Sequence, residues 1–303
     1  MKNIKCFLII CFFSLSSFAQ EPIGSFLKPS DTLNKTRRNA LVITEASVVG
    51  ISLIGLNQLW YADYDRSKFH TLNDNEEWLQ MDKLGHVFTS YQLGNVGAGL
   101  LNWSGVSKKN QLLYGATLGF SFLTAVEVLD GFSKEWGFSW GDMLANAAGT
   151  GLFVGQELLW KEQRITLKYS FHQTSYAAQR PEKLGDGLLE EILKDYNGQT
   201  YWLSFNLFAF TKKEYIPKWL NVAVGYGAHG MLTGNANTEL EAIASPTKRY
   251  RQYYLSLDVD LTKIKTNSSF LKTVFNVFNI IKVPFPTLEI NDKSKIKLHA
   301  FYF

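Results

Sequence analysis

Cysteine is almost absent from this chain. Two occur in 303 residues, Cys6 and Cys11, and both fall within the first eleven positions. Everything after them is without disulfides, thiolate nucleophiles and cysteine metal ligands. An excess of one charge is also missing: 31 Lys and Arg stand against 27 Asp and Glu, a net charge of +4 with no basic stripe. Nucleic acid is therefore not an expected partner. Proline is sparse, at seven, so no proline-rich extended segment is present. The chain has no Walker loop, no H-E-x-x-H and no H-x-x-x-H. Those absences remove the P-loop and standard zinc-enzyme signatures, and no organic cofactor is predicted.

What is present begins with a leader. Lys2 and Lys5 precede the apolar run "CFLIICFFSLSSF", and Ser17-Phe18-Ala19 forms a small-x-small cleavage site before Gln20. Residues 1–19 read as a secretory signal peptide, which places the mature chain in the bacterial envelope, in the periplasm or at the outer membrane. "LIIC", ending at Cys11, looks superficially like a lipoprotein box. Ile10 is too large for its position, however, and the apolar run continues past the cysteine. Residues 20–35 read as a flexible linker.

Two hydrophobic periods divide the remainder. From 36 to 162 the period is helical, with segments at Leu41–Tyr61, Leu84–Trp103, Asn110–Leu129 and Trp140–Lys161. Small residues recur at helical spacing, as in Gly94/Ala98, Gly115/Gly119 and Ala147/Gly151, and such rows let two backbones approach closely. Each segment is long enough to span a bilayer, yet each carries a polar interruption, among them Glu45, His86, Glu127 and Asn146. The expectation is a packed four-helix, Gly/Ala-rich bundle.

From 163 to 303 the period is two. "RITLKYSFH" sets Ile165, Leu167 and Tyr169 against Thr166, Lys168 and Ser170. Segments 201–210, 219–230, 249–264 and 295–303 alternate in the same way, with a weaker strand at 287–291. Ile296, Leu298, Ala300 and Tyr302 are expected on one face of the last strand. "GDGLLEEILKDY" and "SSFLKTVFNVFNIIKV" read as helical insertions. Alternation of this kind suits a half-buried antiparallel sheet and also an outer-membrane strand. An aromatic content of 15% and the terminal Phe303 suit the second. Six strands are fewer than such barrels contain, so a curved sheet packed on the helices fits the count better. The fold class is α+β: a helical module followed by an antiparallel, barrel-like sheet.

One polar cluster stands out against this apolar background. Asp82 and His86 are four apart, on one helical face, with Lys83 beside them. Glu127 and Asp130 end the third helix. Ser139 is placed to cap the fourth, with Asp142 answering the cap and Asn146 one turn on. Asp82 alone suits a helix cap, and His86 a satisfied core histidine. Glu127 lies inside "FLTAVEVL", where an unpaired carboxylate is costly, and Lys83, His86 or Trp136 can supply its partner, with Gly85 giving a neighbouring backbone room. Brought together, these side chains suit a divalent metal held by His86, Glu127 and Asp142, general acid–base chemistry, or a polar network locking helices together.

The stretches "DKLGHVFTSYQLG" and "VEVLDGFSKEWGFSWGDMLANAAGTG" resemble the YfiM-like family of predicted periplasmic lipoproteins, a domain of unknown function. Asp82, Lys83, His86, Glu127, Asp130, Ser139, Trp140 and Asp142 match its pattern, and Val87 stands where the pattern has Phe. The likeness spans roughly residues 80–160, with the β half an extension. More distantly, the cluster is similar to VanZ-like membrane proteins, which are associated with glycopeptide resistance and combine D-K-x-x-H with a later Glu and D-x-x-x-N. The resemblance implies an envelope location and no reaction. The expected function is a non-catalytic, outer-membrane-associated envelope protein, either structural or binding a lipid or glycan; the alternative is a metal-assisted hydrolase or transferase acting on a lipid phosphate or envelope glycan.

Overall fold

The computed structural model describes residues 23–61, 64–235, 248–292 and 295–303. The signal-peptide reading, with Cys6 and Cys11, lies outside those residues.

Four long helices come first: α1 (Lys35–Leu56), α2 (Met81–Trp103), α3 (Leu118–Asp130) and α4 (Trp140–Leu159). Side-chain caps start two of them. Asn34 accepts from the Arg37 N–H at 3.0 Å ahead of α1, and Ser139 accepts from the Asp142 N–H at 3.1 Å ahead of α4. Glycines set how closely α2, α3 and α4 pack. A Cβ on Gly119 would collide with the Ser90 carbonyl, and one on Gly149 with the Val87 carbonyl. The expected rows are only partly used, since Gly151 faces open space. Helix α1 stands apart from the other three, because it is apolar nearly all round and buries only Leu41. The packed helical core thus has three members where the pattern suggested four. The stretch read as a linker is docked on the far end of α2: Ser30 N–H donates to Trp103 O at 3.1 Å, and Asn34 N–H to Ser104 O at 2.9 Å.

A left-handed turn introduces α2. Trp78, Leu79 and Gln80 all have positive φ (48°, 51° and 65°), a conformation costing on the order of 1–3 kcal/mol per non-glycine residue. The sheet holds the turn in place. Trp78 N–H donates to Gly234 O at 2.9 Å, Tyr226 OH to Leu79 O at 2.6 Å, and Arg251 to Gln80 Oε1 at 2.8 Å.

The second half forms a six-stranded antiparallel sheet in sequential order: β1 (Ile165–Phe171), β2 (Gln199–Asn206), β3 (Leu220–His229), β4 (Tyr250–Val259), β5 (Phe285–Asn291) and β6 (Ile296–Tyr302). The two helical insertions are α5 (Leu188–Lys194), between β1 and β2, and α6 (Ser269–Phe278), between β4 and β5. The sheet is curled but not closed. The free edge of β1 takes a short pairing from the chain after α6, where Lys282 N–H donates to Tyr169 O and Tyr169 N–H to Ile280 O, both at 2.9 Å. Helix α2 packs on β1 and β2 through Phe88, which meets Tyr169 and Tyr201 at ring-centroid distances of 5.6 Å.

The alternation is the expected one, and on β2 to β6 the apolar face is the one turned outward. Polar and small side chains fill the inside of the curl. Lys168 and Asp258 form an ion pair at 2.9 Å with neither exposed. Ser204 donates to Asp258 at 2.7 Å, Asn221 to Ser204 at 2.8 Å, and Asn206 to Asn221 at 2.8 Å. Trp202 lies across Gly225, whose Cβ would come within 2.7 Å of the indole. The outside carries Leu203, Val224, Leu255, Leu257, Ile290 and Leu298, all exposed. On β6, a register shift opposite Phe285 and Thr287 moves Tyr302 off the face of Ile296 and Leu298. Its hydroxyl then reaches Tyr254 at 2.8 Å and Thr200 at 3.0 Å inside the curl.

Breaking the interior ion pair from one side leaves an uncompensated buried charge, which costs about 3–5 kcal/mol, whereas an apolar replacement of both partners is close to neutral. Lys168→Met is therefore expected to lower the denaturation midpoint sharply, and Lys168→Met with Asp258→Leu to recover most of that loss, as measured by chemical denaturation.

Candidate functional site

Three helix ends and one loop meet at the start of α2. Lys83 is the hub. Its Nζ lies 2.8 Å from Asp74 Oδ2 in the loop before α2, 2.8 Å from Asp142 Oδ1 on α4 and 3.3 Å from Asp82 Oδ2. His86 lies one turn further on. Its Nδ1 donates to Asn146 Oδ1 at 3.0 Å, since an amide oxygen can only accept. That leaves Nε2 facing three carboxylates: Glu127 at 3.7 Å, Asp82 at 3.8 Å and Asp142 at 3.9 Å. Glu127 is buried at 1% exposure. Its other oxygen accepts from the Ser139 N–H at 3.0 Å, so the carboxylate closes the N-terminus of α4. Ser139 both caps α4 and donates its hydroxyl to Asp74 Oδ1 at 2.6 Å.

The structure thus brings Asp82, Lys83, His86, Glu127, Ser139, Asp142 and Asn146 into one connected group. Asp130 sits at its margin, where Tyr61 OH donates to it at 2.6 Å. Several of the local expectations change. Asp82 is not a cap: α2 starts from the left-handed Gln80 with no side-chain cap, and Asp82 Oδ1 instead accepts from Tyr196 OH at 2.7 Å. Burial and the adjacent Asp82 carboxylate hold the Tyr196 phenol well above its ordinary pKa, so it stays a donor. Lys83 pairs with Asp74 and Asp142 rather than with Glu127. Trp136 stacks edge-on against Tyr61 and Tyr64 and does not serve Glu127. Gly85 makes room for the Tyr201 hydroxyl, 3.1 Å from where its Cβ would lie, and not for a backbone.

Sequence reasoning missed Asp74, Tyr61 and Tyr196. Asp74 lies in "TLNDNEEWLQ", a polar run in which no spacing separates it from its neighbours. Tyr196 reaches Asp82 from 114 positions away, so no local signal could mark it.

The cluster opens onto a cavity of about 710 Å³ between α2, β1 and α5. Asp82 and His86 form its polar end, with Tyr196 beside them. Phe88, Leu123, Leu188, Ile192, Leu193 and Ile281 make an apolar wall, and Phe303 also lines the space. Its size falls in the range of small-molecule sites.

Asp82, His86 and Asp142 each offer a ligand atom, and these atoms lie within 4.8 Å of one another. Oxygen and imidazole donors of this kind suit a borderline or hard divalent ion. The Lys83 ammonium already serves two of the same carboxylates, so an ion here would compete with an internal cation. Glu127, tied to the start of α4, is the less available of the expected ligands.

Residues 71–156 match the family described as predicted periplasmic lipoprotein (DUF2279). The matched stretch runs from just before Asp74 to near the end of α4, so it holds the whole cluster except Tyr61 and Tyr196 and leaves the sheet outside. It agrees with an exported envelope protein of uncharacterised activity. No curated protein and no solved structure matches the chain.

Because Lys83 bridges carboxylates from α4 and from the loop before α2, Lys83→Met is expected to destabilise the fold by about 3–5 kcal/mol. Glu127→Gln keeps an acceptor for Ser139 N–H and is expected to melt within a few degrees of the parent. Thermal melts of the two variants side by side check this ordering.

Proposed function

We propose that this chain is an envelope protein that binds a lipid, seating an acyl chain in the cavity with the headgroup against Asp82 and His86. The observation that carries this reading is the cavity's division into a long apolar wall and one charged end. A glycan would need polar groups along its length, and away from the charged end the lining is mostly apolar, with Thr89, Ser170, Gln199 and the Tyr169 and Tyr201 hydroxyls its polar members. The match of residues 71–156 to a family of predicted periplasmic lipoproteins supports the same envelope setting.

A second reading rests on His86. With Nδ1 committed to Asn146, Nε2 lies among three carboxylates at the polar end of the cavity, the arrangement of an acid–base group. Hydrolysis or transfer at a lipid headgroup would use it, with or without a divalent ion on Asp82 and Asp142.

Ile192→Trp fills the apolar wall without touching the cluster. It is expected to weaken binding of a phospholipid with a fluorescent acyl tail by an order of magnitude, with the melting temperature held. Unchanged binding in that variant would sink the lipid reading. His86→Asn separates the two readings: retained lipid binding with loss of headgroup turnover marks catalysis, and turnover absent from the parent as well leaves binding alone.

A further inference from the structure

The polarity of the sheet is inverted, and both halves of the molecule bury charged or amide groups. Its buried groups include Lys168, Asp258, Lys282, Glu127, Asn206 and Asn221, while large apolar side chains crowd the surface. On the sheet, the outward positions of β2 to β6 carry Leu203, Val224, Leu255, Ile290 and Leu298. On the helices, α1 presents Val42, Ile43, Val48, Ile51 and Ile54. Among the described residues nothing covers these surfaces. A soluble sheet with one solvated face turns its polar side to water; this one turns it inward, as strands do when their outer solvent is hydrocarbon.

Length agrees. Helix α1 has 22 residues, and the segment Lys108–Asp130, which contains α3, has 23; both are apolar enough to cross a bilayer. At about 1.5 Å per residue each exceeds the roughly 30 Å of a hydrocarbon core. The lone acid of α1 between its basic start and its end is Glu45, which is half-buried rather than fully outward.

The two ends of the molecule carry a third sign. At the end away from the polar cluster, basic groups sit on aromatic rings: Arg37 on Trp103 at 4.6 Å, Arg164 on Trp160 at 4.9 Å and Lys218 on Phe208 at 4.9 Å. At the cluster end, Tyr61 and Tyr64 pack on Trp136, and Lys183 lies over Tyr64 at 5.4 Å. Amphipathic aromatics with basic partners are the residues that settle at membrane–water boundaries.

We propose that the outer surfaces of α1, α3 and the sheet together form a bilayer-contacting belt, with the Lys83–His86 cluster at one interface. The occupant is lipid rather than a protein, because the exposed apolar surface runs over helices and sheet alike. This is independent of what the cavity holds.

The test uses the full chain with Cys6→Ser and Cys11→Ser, which removes both native thiols. Single cysteines are placed at the exposed positions Ile51, Leu255, Leu298 and Tyr215, so that the core is untouched, and each is labelled with bimane. The proteins are reconstituted into phosphatidylethanolamine–phosphatidylglycerol vesicles with and without a lipid carrying a mid-chain nitroxide. The expected result is co-flotation with the vesicles, with fluorescence at Ile51→Cys, Leu255→Cys and Leu298→Cys at least halved by the nitroxide, and Tyr215→Cys, in the loop before β3, unaffected. Quenching at Ile51→Cys alone overturns the proposal, because the sheet would then face something other than lipid. Failure to float, or equal quenching at all four positions, overturns it as well.

Discussion

The ion pair between Lys168 and Asp258 is the constraint around which the sheet is organised. The two residues stand on β1 and β4, which are not neighbours, and the chain between them closes only if the sheet curls. Once curled, the inside must be satisfied group by group, because an unpaired polar atom there costs about 1–3 kcal/mol. Ser204, Asn221 and Asn206 extend the pair sideways, and Val283 N–H adds a donor to Asp258 at 3.0 Å. The apolar residues of the same strands are displaced outward as a consequence.

The helical half solves the same problem with Lys83. A single ammonium draws Asp74, Asp82 and Asp142 together and so fixes where α2, α4 and the preceding loop meet. His86 and Glu127 then fit into what remains, each also holding a helix end or an amide. The cluster is for this reason structural and chemically addressable at once: Lys83 and Ser139 face inward on their partners, while Asp82 and His86 form the polar end of the cavity.

Much of the element plan was legible, because periods of 3.6 and 2 are local properties. α2, α4, all six strands and both inserted helices fall within a few residues of the segments suggested by periodicity. The direction of the strand faces was not legible. Alternation states that Asp258 and Leu257 point opposite ways, but not which way is in; only the partner at Lys168 decides that. Tyr302 was misplaced for a related reason, since one register shift on β6 reverses every side chain beyond it. In the cluster, the residues carried by helix spacing were readable, and Asp74, Tyr61 and Tyr196 were not, because loops and distant strands bring them in.

The left-handed turn at Trp78–Gln80 has a mechanical meaning. Three consecutive residues in that conformation cannot swivel freely, and their carbonyls, amides and side chains are gripped by Gly234, Tyr226 and Arg251. Asp82 and Lys83 follow directly, so the first turn of α2 is clamped to the rim of β3 and β4. The placement of Asp82 against Tyr196, at the polar end of the cavity, is tied to those strands. The sheet thereby holds the charged residues of the helices in place, although it contributes none of them.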